Sequence, residues 1–423
     1  MRGLKIITVL LILTFLCGCG NASKKNSQRH DIDQQETVTI TLTHCWSQQE
    51  IIDQIADKYN STHDSIHVEV EYIPVEQYVT TLKNRSAAGN LSEIYMGWPG
   101  SSMEWFYKNG LTFDLTDEEW VKRLDADTEA DVTYENTIRM LPLNKTFICI
   151  GYNKEIFDRY ECEIPQNYDE FLDICETLKI NGILPMAIGS RDASGYIYPS
   201  WMMAVSEIYA YDPDYNQKLY SGTELMGERW ETILKRQYEW VQKGYVDENH
   251  LAIDRMSDSL DLFVNGEAGM FILGSWEIDS ILERMKSAES MLNMGFFPMP
   301  SSQDAGTLLL ASGEGLCVNA VSIKREQALE VLRYFTEKEP NQMFQTAMNS
   351  FTTFHDLGLE YSEILDEINV YVEGKDTWGY PDAPWPRIIG DKYSELFPKY
   401  LADKITADEF MREMEKLWKE SIF

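Results

Sequence analysis

The stretch Ser257–Trp276, SDSLDLFVNGEAGMFILGSW, decides the fold. Its first half carries Leu260, Phe263 and Val264 on one side and Asp258 and Asp261 on the other, which predicts a short helix. Gly266 follows, at the place where a helix commonly ends on a left-handed residue. Ala268–Leu273 is then an apolar run of the right length for a strand buried on both faces. Gly274-Ser275-Trp276 closes it and leaves an aromatic on a turn at the strand's carboxyl end. Ligands sit at that end of open α/β sheets, so the stretch implies a binding cleft.

The same theme recurs outward from it. Val38–Thr43 alternates into a strand, ends at His44-Cys45-Trp46-Ser47, and gives way to a helix from Gln48 with Ile51, Ile52, Ile55, Ala56 and Tyr59 at helical spacing. Strand Ile66–Tyr72, helix Tyr78–Ala88 and strand Glu93–Met96 follow, the last ending in Gly97-Trp98-Pro99-Gly100. Asn144–Tyr152 reads as a strong strand, Tyr168–Ile180 as a helix and Met186–Gly189 as a strand. Trp201 falls in an aromatic segment beyond turns at Gly195 and Pro199. Glu228–Lys243 is an amphipathic helix, Met294–Pro298 and Gly315–Val321 are strands, and Tyr371–Gly390 is irregular and aromatic. Thr406 and Glu409 form a capping box that opens the last helix. Strand alternating with helix predicts an α/β fold with doubly wound, mostly parallel sheets. At 423 residues the chain is long enough for two domains.

A formal charge of −32 repels nucleic acid and anionic membrane surfaces, and disfavours polyanionic ligands. Cys45, Cys149, Cys162, Cys175 and Cys317 are odd in number and widely spaced, which is neither a disulfide framework nor a zinc pattern; only Cys162 and Cys175 are candidates to pair. The sequence contains no Gly-x-Ser-x-Gly, no His-Glu-x-x-His and no phosphate-cradling loop with a lysine. Asp212-Pro-Asp214-Tyr-Asn216 begins like a calcium loop but lacks the glycine and the final glutamate that such a loop needs. No catalytic residue, metal site or cofactor is expected. A glycosidase carboxylate pair among 69 acidic residues is the enzymatic alternative.

At the N-terminus, Arg2 and Lys5 precede an apolar run from Ile6 to Leu16, the length of a signal peptide. Leu16-Cys17-Gly18-Cys19 resembles the lipobox of bacterial lipoproteins, with Cys17 where a smaller or β-branched residue is usual. Cys19 is the expected lipidated residue, and the polar segment to Glu36 reads as a flexible tether. Gly151-Tyr152-Asn153-Lys154 with Phe157, Ile164-Pro165 with Tyr168-Asp169-Glu170-Phe171, Asn265-Gly266 to Trp276, and Gly313-Glu314-Gly315 then follow in order. As a set, these motifs resemble the extracellular solute-binding proteins that serve ATP-driven sugar importers in Gram-positive bacteria. Ser92-Glu93 stands where relatives usually have Pro-Asp.

The resemblance implies a two-lobed, periplasmic-binding-protein-like fold of type II, in which doubly wound sheets are joined by hinge crossovers and close on a ligand. Its expected divisions are a signal peptide over 1–18, the anchor and tether over 19–36, a first lobe from 37–146 and 304–356, and a second lobe from 147–303 and 357–423. It implies a monomer on the outer face of the cell membrane, with a carbohydrate ligand, an importer permease as partner and no enzymatic activity. A binding protein for a peptide or polyamine is the other alternative. A sugar offers an apolar C–H face to a flat aromatic and a belt of hydroxyls to polar groups. The candidate ligand residues are therefore the turn-placed Trp46, Trp98, Trp201, Trp276, Trp378 and Trp385, with Ser47, Asn144, Ser275 and Glu314 as polar partners.

Overall fold

A computed structural model describes residues 37–422, so the signal segment, Cys19 and the tether lie outside the described residues. In chain order the strands are β1 (Val38–His44), β2 (Ile66–Tyr72), β3 (Ile94–Gly97), β4 (Thr133–Tyr134), β5 (Thr137–Ile138), β6 (Leu141–Pro142) and β7 (Asn144–Asn153). They continue as β8 (Leu184–Met186), β9 (Ala268–Gly274), β10 (Met294–Phe297), β11 (Leu309–Ser312), β12 (Gly315–Val318) and β13 (Phe351–Thr352).

The first sheet runs β2-β1-β3-β12-β6. Strands β1, β2 and β3 are parallel, as strand–helix alternation requires, and β12 joins antiparallel to β3 and β6. Helix Gln49–Asn60 buries Ile51, Ile52, Ile55, Ala56 and Tyr59, the five positions whose spacing predicts its inward face.

The second sheet is built on β7, a ten-residue strand with room for several partners. Strand β10 pairs along Ile150–Asn153, β11 along Lys145–Ile148, β13 along Asn144–Lys145 and β9 along Ile148–Tyr152, all antiparallel. Strand β8 pairs parallel to β9. The parallel pattern stops at this sheet because β7 enters it directly from β6 at Leu143 and β11 leaves it directly for β12, without helical crossovers.

Strand β9 is the apolar run that ends before the Ser275-Trp276 turn. Every residue in it is buried. Met270 and Ile272 enter one core, while Phe271 and Leu273 enter another on the opposite face. Each large side chain contributes about 1.5–3 kcal/mol by leaving water, so both faces hold the strand in place. Gly266 ends the preceding helix at φ +74°, as its position requires.

The chain passes between the cores of the two sheets at Leu143, at Gly313–Glu314 and at Thr353, and hydrogen bonds link these three connections. Leu143 N donates to Glu314 O at 3.2 Å and Gly313 N to Asn144 O at 2.8 Å. Thr353 Oγ1 donates to Pro142 O at 2.9 Å. Trp201 is not beyond a turn: it lies in helix Ser194–Ala204, which carries Pro199 inside it and runs on into a π-helical turn, Val205–Tyr209. Buried Tyr196, Met202, Met203 and Ala204 pack it strongly enough to override the proline. Cys162 and Cys175 are free thiols. The calcium-like loop is an ion-paired turn, with Asp212 accepting from Lys218 at 2.6 Å and Arg229 at 2.9 Å.

Candidate binding cleft

Strand β9 ends at Gly274, and the chain turns through a short 3₁₀ segment, Ser275–Glu277. The Trp276 ring folds back over Gly274 so closely that a Cβ there would stand 2.4 Å from it. Only glycine allows that approach. Glu277 fixes the turn from beneath: it accepts from Gly274 N at 2.9 Å and pairs with Arg255. Arg255 also donates to Ile272 O at 3.0 Å, and its guanidinium lies 4.9 Å from the centre of the Tyr198 ring.

Tyr198 carries the wall onward. It meets Trp276 edge-on at 5.8 Å and stacks on Trp201 at 5.9 Å with planes 23° apart. The two residues are three apart on one helix and so share a face. Trp201 in turn meets Tyr380 edge-on at 5.1 Å. The Trp98-Pro99 loop after β3 and the Ser312–Glu314 connection line the same cleft, which has a volume of about 350 Å³.

Glu314 is the charged group of this cleft. Burial raises its pKa, while the side-chain donors of Trp46, Trp98 and Asn144 pull it back down. Its Oε2 has no partner at hydrogen-bond geometry, and neither do Asn144 Oδ1 or Ser312 Oγ. Buried polar atoms left in that condition are costly. Thr146 Oγ1 lies 3.0 Å from the Tyr380 hydroxyl. Asp382, behind Trp201, is raised by burial to about 6 against the opposing pull of the Trp201 indole N–H.

A second hollow of about 420 Å³ adjoins the first and shares Tyr380 and Ala383 with it. Trp378, Tyr134, Tyr209, Glu104 and Asp131 line it. At its rim Gly100 takes φ +75°, and a Cβ there would meet Ala383 O at 2.5 Å. That approach lets Ser101 N donate to Ala383 O at 3.2 Å, joining the loop after β3 to the loop before helix Arg387–Leu401.

The structure thus gathers Trp98, Trp201, Trp276 and Glu314 around one cleft and puts Trp378 in the next hollow. Other candidates lie elsewhere. Trp46 is 2% exposed and packs edge-on against Phe344 at 5.3 Å, so its ring belongs to the first lobe's core, with the indole N–H turned to Glu314. Trp385 is core too, packed against Trp230 and Trp418, and its Nε1 donates to Asn216 Oδ1 at 2.8 Å. Asn144 and Ser275 are wholly buried. Ser47 lines a separate groove with Gln48, Gln54 and Asp279. A turn-like sequence around a tryptophan does not tell which side of the turn its ring takes.

Sequence reasoning missed Tyr198, Tyr380, Thr146 and Ser312. Tyr198 would have followed from Trp201 had Pro199 not suggested a turn, and Tyr380 lies inside the aromatic run already singled out. Among the described residues no group of three or more His, Cys, Asp or Glu side chains is placed to hold a metal ion.

Residues 54–362 match the family model for bacterial extracellular solute-binding protein. The multiple sugar-binding protein of Streptococcus mutans is 20% identical over 81% of this chain and 79% of its own length. The melibiose/raffinose/stachyose-binding protein of Bacillus subtilis is 26% identical over 53% of this chain and 52% of its own length. A sugar transporter of Bacillus licheniformis, solved in complex with stachyose, superposes with a TM-score of 0.73 at 18% identity, covering 90% of this chain and 100% of that one. These relatives are substrate-binding proteins rather than enzymes, and the two-sheet fold is theirs. With the family model spanning most of its length, the chain belongs to the bacterial extracellular solute-binding proteins.

Proposed function

We propose that the cleft binds an oligosaccharide and that the protein delivers it to the permease of an ATP-driven importer. The observation that carries this reading is the continuous wall Trp276–Tyr198–Trp201–Tyr380 in the same cleft as the Glu314 carboxylate. Flat rings cover the apolar face of a sugar, and buried acceptors pair its hydroxyl belt. A ligand lacking the hydroxyls leaves those acceptors unpaired, which supplies selectivity. The relatives' sugar ligands support the same class. Two lobes pivoting on the three bonded connections would close on the ligand, since contacts made only in the closed form favour closure.

A thermal-shift screen over neutral di- to tetrasaccharides tests the reading. At a hundredfold excess over its dissociation constant, a true ligand adds about 2.7 kcal/mol of stability. A panel in which no sugar raises the melting temperature contradicts it, as does cleavage of a bound oligosaccharide on prolonged incubation. Anchoring belongs to the same proposal: Leu16-Cys17-Gly18-Cys19 supports a lipid on Cys19, and Cys19→Ala should release the protein into the medium.

A further inference from the structure

We infer, resting on the carbohydrate reading above, that the cleft takes sugar chains free of carboxylates and turns away uronate-bearing ones. Acidic side chains stand in both hollows: Glu314 in the first and Asp131 in the second, where Glu104 is already paired with a lysine. Neither hollow has a Lys, Arg or His among the described residues that line it. Basic residues that stand beside lining residues are already committed. Lys108 pairs with Glu104 at 2.7 Å, Lys145 with Asp125 at 2.5 Å, and Arg255 with Glu277.

A uronate entering either hollow would lose its water, meet a like charge at short range and find no cation to pair with. A hydroxyl in the same place can donate to a carboxylate, and such charge-assisted bonds are the stronger kind. Asp131 already accepts from Ser312 N at 3.0 Å, which holds its carboxylate at the boundary of the two hollows. The exclusion therefore acts whichever ring of a chain carries the acid.

The net charge of −32 also repels anions, but over long range. Salt separates the two effects, because at about 0.5 M the general field is screened while a buried like-charge contact is screened much less.

The test uses the mature, tether-bearing protein and calorimetric titration. The probes are raffinose, stachyose, maltotriose, cellotriose and chitotriose, each beside its C6-oxidised uronate and the matching uronamide, which has the same shape without the charge. The expected result is that a parent sugar binds, and that its uronamide binds at least about tenfold more tightly than its uronate, with the gap persisting at high salt. A uronate that binds as tightly as its uronamide overturns the charge rule and leaves the carbohydrate reading standing. So does a gap that vanishes at high salt, since the repulsion then belongs to the whole molecule. If no parent, uronamide or uronate binds, the carbohydrate reading falls and this inference with it.

Discussion

Arg255 and Glu277 form a buried ion pair directly behind Trp276, with side chains only 5% and 8% exposed. Each partner does a second task. Glu277 takes the Gly274 amide and so shapes the turn, while Arg255 lies against the Tyr198 ring. The two aromatics that begin the cleft wall are therefore held from behind by one charged pair.

Removing one member leaves the other charged and buried, which costs about 3–5 kcal/mol. Glu277→Ala should lower the melting temperature sharply and weaken carbohydrate binding. The double change Arg255→Met with Glu277→Leu should regain much of the stability, since a packed apolar pair often replaces an ion pair without loss. It should not regain affinity, because the Gly274 amide loses its acceptor and Tyr198 its cation. Wild-type affinity in the stable double variant would contradict the positioning role.

Gly274→Ala tests the close approach of the Trp276 ring. The added methyl has to push the indole away, as it would otherwise stand 2.4 Å from it. We expect sugar affinity to fall at least about tenfold, or about 1.4 kcal/mol, with a change in tryptophan fluorescence and only a modest loss of melting temperature. Unchanged affinity would mean that the ring is not fixed where the ligand needs it.

Asp382 gives a prediction in pH. Burial raises its carboxyl from 3.8 to about 6 in the folded protein. The fold therefore binds its proton more tightly than the unfolded chain does. Its stabilising contribution is complete below pH about 4 and is lost as pH rises through about 6. Asp382→Asn, which cannot ionise, should match wild type at the acid end and exceed it in stability at neutral pH. A stability difference that stays constant from pH 4 to 7 would contradict this assignment.

Periodicity and turn chemistry made the scaffold legible. Strand β9, the stop at Gly266, the inward face of helix Gln49–Asn60 and the Thr406–Glu409 box are all local patterns, and all appear in the structure. What stayed hidden depends on long-range packing. The antiparallel partners of β7 come from connections more than a hundred residues away along the chain. Trp46 and Trp385 sit in turn-like sequence, yet Phe344, Trp230 and Trp418, which claim their rings, are remote in sequence. Tyr198 was masked by the neighbouring Pro199, whose helix is sustained by tertiary packing rather than propensity. Glu314 stands out in the sequence as a carboxylate between two glycines, a pattern that also suits a plain turn, and it lines the cleft.

The most direct measurement of the central claim compares Trp276→Ala with Trp46→Ala by melting temperature, without ligand and with a sugar that stabilises wild type. Trp276 is half-buried on the cleft wall, so its removal should leave the unliganded melting temperature nearly unchanged and abolish most of the ligand-induced rise. Trp46 is a core side chain, and its truncation should cost about 3–5 kcal/mol before any sugar is added. If Trp276→Ala instead melts early and still gains the full wild-type increment from sugar, the aromatic wall is packing and the ligand binds elsewhere.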